Sequence, residues 1–220
     1  MPLEVQLMEE EDAPAFATID GLAMADWATG QAMVLAMPSE GENRHDVIER
    51  WMRQDFRNNS EMVWLKVVDT ELENEIIACA LWRFVLSGDS PKIEAPAPVQ
   101  GVEVKKDEQK PTIWSALEQA WNEFRAEFVG SSPHANLQIC IVHPEQQRRG
   151  AGSMLVKWGC DKADERGLVS ILGASEAGLK LYKNFGFKIV KLTTMDLRPF
   201  GVDATELRRG MVRPAKPKQS

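Results

Sequence analysis

The chain has one tyrosine, three cysteines, three histidines and no excess of positive charge, and each scarcity closes off a class of protein. Cys79, Cys140 and Cys160 are scattered, without CxxC or Cys/His spacing, which argues against a disulfide framework or a zinc site and for free thiols in a reducing compartment. His45, His134 and His143 are too dispersed to suggest a metal centre, so no metal is expected. A formal charge of −7 and a pI near 5.1 argue against general nucleic-acid binding, while leaving room for a local basic patch around an anionic ligand. No apolar run approaches membrane-spanning length, and the start, Met1-Pro2-Leu3-Glu4, soon turns acidic, the opposite of a signal peptide. The expectation is a soluble, cytoplasmic protein with neither a nucleic-acid nor a membrane partner.

What is present is apolar periodicity. At 220 residues and 44% apolar, the chain can bury one sizeable core, and a single domain over residues 1–205 is expected. Glu4 to Met8 alternates as a first strand. Asp12 before Ala13-Pro14 then opens a helix carrying Phe16, Ile19, Leu22 and Ala23 on one stripe. Met24 to Met37 fits a short second helix or an apolar loop, and Ser39 to Glu42 a turn. His45 to Asn58 gives a helix with Val47, Ile48, Trp51, Met52 and Phe56 on its apolar face. Met62 to Val68 and Ile76 to Val85 read as an antiparallel hairpin. Residues 86–112, punctuated by Pro91, Pro96, Pro98 and Pro111, read as a loop insertion, and 113–129 as an extra amphipathic helix. Leu192 to Leu197 supplies a last strand, and the basic stretch 206–220 reads as a flexible tail.

The stretch that carries chemistry is Gln147-Arg148-Arg149-Gly150-Ala151-Gly152. Ahead of it Leu137, Ile139 and Ile141 alternate with Gln138, Cys140 and Val142 as in a strand, and His143-Pro144 ends the run. Behind it Ala151, Met154, Leu155 and Trp158 fall at helical spacing, with Gly167 as the stop. A helix start leaves amide N–H groups without internal partners and carries partial positive charge, so glycines there open an anion site to which two arginines add donors. By pattern alone a second reading stands beside it, in which the glycines only permit positive φ and the arginines are solvated.

Downstream, the apolar run Leu168 to Ala174 leads to Ser175 as an N-cap, then to Leu181-Tyr182-Lys183-Asn184-Phe185-Gly186-Phe187. With both motifs in this order, Leu137 to Val190 resembles the GNAT superfamily of N-acetyltransferases, whose diphosphate loop Gln/Arg-x-x-Gly-x-Gly/Ala is matched by Gln147 to Gly152. The resemblance implies an α/β (α+β) fold: a mixed, mostly antiparallel twisted sheet flanked by helices on both faces, splayed between the strand ending at Val142 and the one beginning at Leu168. It implies acetyl-CoA as cosubstrate and acetyl transfer to a primary amine on a small molecule or a protein. Cofactor contacts then fall to Ile141, Val142, Gln147, Arg148, Arg149, Gly150, Ala151, Gly152, Ser153, Ser175 and Tyr182.

Roles follow from the same resemblance. Tyr182 occupies the place of the residue that hydrogen-bonds the departing thiolate, and the backbone N–H of Cys140 that of the oxyanion donor. Cys140 as a nucleophile lacks a base partner. The glutamate many members carry on this strand is missing from Pro133-His134-Ala135-Asn136-Leu137-Gln138. His134, Asn136 and Gln138 share strand parity with Cys140, so His134 is one candidate base; deprotonation through water is the other. The rival from a different class is a non-catalytic CoA-binding module. A nucleotide-binding P-loop is disfavoured, because no Lys-Ser/Thr follows Gly152.

Overall fold

The computed structural model describes residues 2–36, 43–59, 61–86 and 111–216. The turn expected over 39–42 and nearly all of the insertion expected over 86–112 lie outside these residues. Seven strands form one sheet: β1 Leu3–Leu7, β2 Met62–Asp69, β3 Glu75–Val85, β4 His134–Val142, β5 Val169–Ala174, β6 Lys188–Asp196 and β7 Thr205–Arg213. Their spatial order is β1-β2-β3-β4-β5-β7-β6, antiparallel throughout except between β4 and β5. The helices are α1 Ala13–Met24, α2 Ala28–Leu35, α3 Arg44–Asn58, α4 Ile113–Phe128, α5 Ala151–Arg166 and α6 Leu179–Asn184.

One face of the sheet carries α5 and α6, where Trp82, Leu155, Val156, Phe187 and Met211 form the largest core cluster. On the other face α1 and α3 cover the first strands through Phe16, Met52, Trp64 and Leu81. There α4 covers the far strands, with Phe124 against Ile171, and Ile113, beside Ala32 of α2, against Met195 and Leu197. The stripe of α5 is centred on Ala151, Leu155, Val156, Cys160 and Ala163, leaving Met154 and Trp158 at its half-buried edge. Gly159 belongs to that stripe because Trp82 passes beneath it: a Cβ there would lie 1.9 Å from the indole.

Two expectations are corrected. Residues 205–213 do not trail in solvent. They form β7, inserted between β5 and β6, and their basic residues find distant partners: Arg213 pairs with Asp164 at 2.6 Å and Arg209 with Glu176. The second concerns strand parity. In the β3–β4 ladder Leu81 pairs with Ile139 and Trp82 with Leu137, so Gln138 is an extra, bulged residue. A one-residue insertion reverses the alternation. Ala135 and Leu137 before the bulge, and Cys140 and Val142 after it, therefore pack toward α5 and α6, whereas Ile139 and Ile141 join the α1–α3 core. By alternation His134 and Asn136 lie on the face opposite Cys140.

Candidate active site

β4 and β5 pair only from His134–Val169 to Leu137–Leu172. Beyond that point β5 continues with β7 through Gly173 and Ala174, and β4 continues with β3 alone. The edge of β4 from Gln138 to Val142 is thus open toward β5. The amide of His143 donates to Ile77 O at 2.8 Å, which fixes the alternation of the ladder: Ile141 faces β3, and Cys140 and Val142 turn their main-chain groups into the opening. The main-chain contact expected of Ile141 is therefore taken up within the sheet.

The chain leaves β4 through a 3-10 turn, Pro144–Gln146, and reaches α5 by way of Arg148 at φ +65° and Gly150 at φ +98°. Gly150 caps α5 in a left-handed conformation, and no side chain accepts from the first-turn amides. Nothing lies within 4 Å of a Cβ built on Gly150, so its backbone angle, not crowding, selects glycine. Gly152 is selected by contact, since its Cβ would stand 3.3 Å from Leu181 and 3.6 Å from Val142. The result is an open helix N-terminus facing the splay, with partial positive charge and free donors.

Arg149 does not share in this. Its guanidinium bonds Asp69 at 2.5 Å and Gln146 at 2.5 Å, tying the loop to the end of β2, and it stands apart from the cleft. Arg148 lines the cleft.

Tyr182 comes from the short helix α6, with 8% of its surface exposed. Its ring lies edge-on to Phe187 at 6.2 Å and so close over Gly178 that a Cβ there would be 2.6 Å away. Its hydroxyl and the Cys140 thiol both line the cleft and influence each other's titration. Burial, together with that thiol, holds the phenol well above its ordinary pKa, so it remains protonated across the neutral range. Burial pushes the Cys140 thiol up to about 12, only partly offset by the Tyr182 hydroxyl; a thiolate nucleophile is disfavoured there. Ser175 caps the turn before α6, accepting from Gly178 N at 3.3 Å, rather than the helix itself, whose cap is Gly178.

A cleft of about 810 Å³ joins these parts. Cys140, Ile141, Val142, Gln147, Arg148, Gly150, Ala151, Gly152, Ser153, Ser175 and Tyr182 all line it; Arg149 and His134 do not. His134 is buried at the other end of β4, its Nδ1 2.8 Å from Ser132 O. Burial lowers its pKa, against that hydrogen bond. On the other side of the cleft, the part missed in the sequence is Glu206 and Arg208 of β7. Trp27, which caps α2, and Leu117 and Trp121 of α4 supply apolar walls, and Glu206 and Arg208 supply charge. The aromatic spacing of α4 was legible in the sequence. Among the described residues no cluster of three potential metal ligands occurs, and no helix is long and apolar enough to cross a membrane.

The splayed strands, the open helix start and the buried phenol meet in this one cleft. A family model described as the acetyltransferase (GNAT) family matches residues 22–187, and the chain belongs to that family. The fold is shared with a Corynebacterium glutamicum structure described as histone acetyltransferase HPA2 and related acetyltransferase (18% identity, TM-score 0.62, all of both chains covered). It is shared also with arylalkylamine N-acetyltransferase 2 from Aedes aegypti (14% identity, TM-score 0.65, 98% of this chain and 100% of that one). A third likeness is a Salmonella typhimurium acetyltransferase, yncA, solved with its cofactor acetyl-CoA (12% identity, TM-score 0.55, 100% and 98% covered). No curated protein matches the sequence.

Proposed function

We propose that this protein moves an acetyl group from acetyl-CoA to a primary amine. The observation that carries the reading is the convergence, in one cleft, of the open α5 N-terminus, the free edge of β4 and the hydroxyl of Tyr182. Acetyl-CoA, when bound, supplies the activated thioester. The amides of residues 150 to 153 suit its diphosphate, with Arg148 as the neighbouring cation. Val142 offers main-chain groups to the pantetheine arm, and the N–H of Cys140 a donor to the developing oxyanion.

Tyr182 donates to the departing sulfur. Its pKa is raised above about 10, whereas an ordinary thiol sits near 8.5, so it stabilises the thiolate by hydrogen bonding more readily than by giving its proton away. The acceptor amine must be neutral when it attacks, so one that binds as an ammonium first loses a proton, because an ammonium has no lone pair. With His134 walled off from the cleft, water in the cleft is the path for that proton. The free cysteines fit a reducing, cytoplasmic setting.

The second reading, a CoA-binding module without turnover, is favoured by one observation: residues 134–138 put no acid on β4. Thiol release from acetyl-CoA across a panel of small amines and peptides separates the two. Transfer requires amine-dependent release; a module requires CoA binding with none.

A further inference from the structure

The acceptor side of the cleft holds a guanidinium, Arg208, for which the described residues supply no salt bridge. Arg208 lies in β7, on the face turned toward α2 and α4, since Arg209 on the opposite face reaches Glu176 beside α6. Burial lowers the Arg208 pKa, and the charge of Glu206 opposes that only in part. Its Nη1 is covered from solvent and has no acceptor among the described residues. The neighbouring cations differ: Arg209 is paired with Glu176, Arg213 with Asp164 and Lys191 with Glu127. The bulged residue Gln138 adds a second covered donor without an acceptor, Nε2, in the wall of the same cleft.

Glu206 is two residues from Arg208 on the same strand face, roughly 7 Å along the chain, and is held by the hydroxyl of the fully buried Thr29. An anion-seeking fork and a cation-seeking carboxylate thus stand side by side opposite Trp27 and Trp121. A phosphate dianion would meet Glu206 with like charge; a carboxylate on a molecule that also carries an ammonium would satisfy both. These β7 residues lie outside the stretch matched to the family, 22–187.

We propose that the acetyl acceptor is an amine whose apolar frame carries a carboxylate, an amino-acid-like zwitterion, with the carboxylate bound by Arg208 and the ammonium side oriented by Glu206. The inference rests on the acetyl-transfer reading. It is tested with pairs differing only by the carboxylate: phenylalanine against phenethylamine, and tryptophan against tryptamine, with thiol release as the readout.

The wild-type kcat/KM ratio of acid to amine should exceed that of Arg208→Gln by about tenfold or more, carried by KM, because a bidentate partner is lost. Comparing ratios between proteins cancels the differing basicity of the two amines. Arg208→Lys, which keeps the charge but not the fork, should fall between and serves if the glutamine variant does not fold. An unchanged ratio in a folded variant overturns the proposal. If CoA binds but no amine yields thiol, acetyl transfer itself fails, and the pocket is judged by calorimetry on CoA-saturated protein. N-acetylphenylalanine should then bind more tightly than N-acetylphenethylamine, an advantage lost in Arg208→Gln; equal binding in the wild type overturns the assignment.

Discussion

Replacing Tyr182 by phenylalanine removes one oxygen from a side chain whose other contacts are apolar. The ring keeps its edge contact with Phe187 and its seat over Gly178, and the Tyr182 carbonyl still accepts from Phe185 N at 3.0 Å and Phe187 N at 3.1 Å. What disappears is the hydroxyl and its electrostatic influence on the Cys140 thiol. With the ring's packing kept, the stability cost belongs at or below the low end of the range for one lost polar group, about 0.5 kcal/mol, or a melting shift of roughly 1–2 °C for a chain of this size.

Turnover has more to lose. A donor that serves sulfur mainly as charge builds there stabilises the transition state more than the bound thioester. Its removal should lower kcat by about tenfold to a thousandfold, or roughly 1.4–4 kcal/mol at 1.36 kcal/mol per decade. Because the phenol titrates well above its ordinary range, the wild-type kcat profile should show no alkaline limb from this group below pH of about 10. Single-turnover thiol release, with acetyl-CoA affinity measured separately, reads both. Wild-type kcat in a folded Tyr182→Phe protein, with chemistry shown to limit the rate, would refute the role and hand the sulfur's hydrogen bond to water.

Gly152→Asp puts a carboxylate at the open α5 N-terminus, where only the flexible end of Leu181 must yield; CoA affinity measured by calorimetry should fall at least about a hundredfold, since like charges meet in a site built for an anion. Gly159→Ala drives a methyl group into Trp82, so denaturant unfolding should show a loss of about 1–3 kcal/mol despite alanine's better helix propensity. The Arg213 guanidinium, aided by the Lys216 amide, holds Asp164 below the usual carboxylate range against a smaller desolvation effect. With a depressed folded-state pKa, its stabilisation is present above about pH 3.9 and is lost as pH falls through the lower folded value. Asp164→Asn should accordingly be less stable at neutral pH and show a shallower acid-side loss in melting experiments.

Local pattern carried the parts of this fold whose partners are close in sequence. The β2–β3 hairpin, Met62 to Val85, the glycine loop and the Tyr182 helix each declare themselves within one short stretch of chain. The sequence misled where partners are distant. β7 looked like a basic tail because Arg209 and Arg213 are answered by Glu176 and Asp164, 33 and 49 residues away. Arg149 looked available to a phosphate because Asp69 lies 80 residues back. A single bulged residue, Gln138, left no trace in an alternating apolar run, yet it reversed the parity on which the candidacy of His134 depended. Arg208 and Glu206 were hidden with β7, since their meaning depends on the wall of α2 and α4 facing them.

The central claim is that the cleft joins an acetyl group to an amine nitrogen. Incubating the protein with acetyl-CoA bearing a deuterated acetyl group and a primary amine, and following amide and thiol together by mass spectrometry, tests it directly. One deuterated amide should appear for each free CoA thiol, at a rate that rises with amine concentration. Thiol release that ignores the amine, or firm CoA binding with no amide formed across the amine panel, would contradict it.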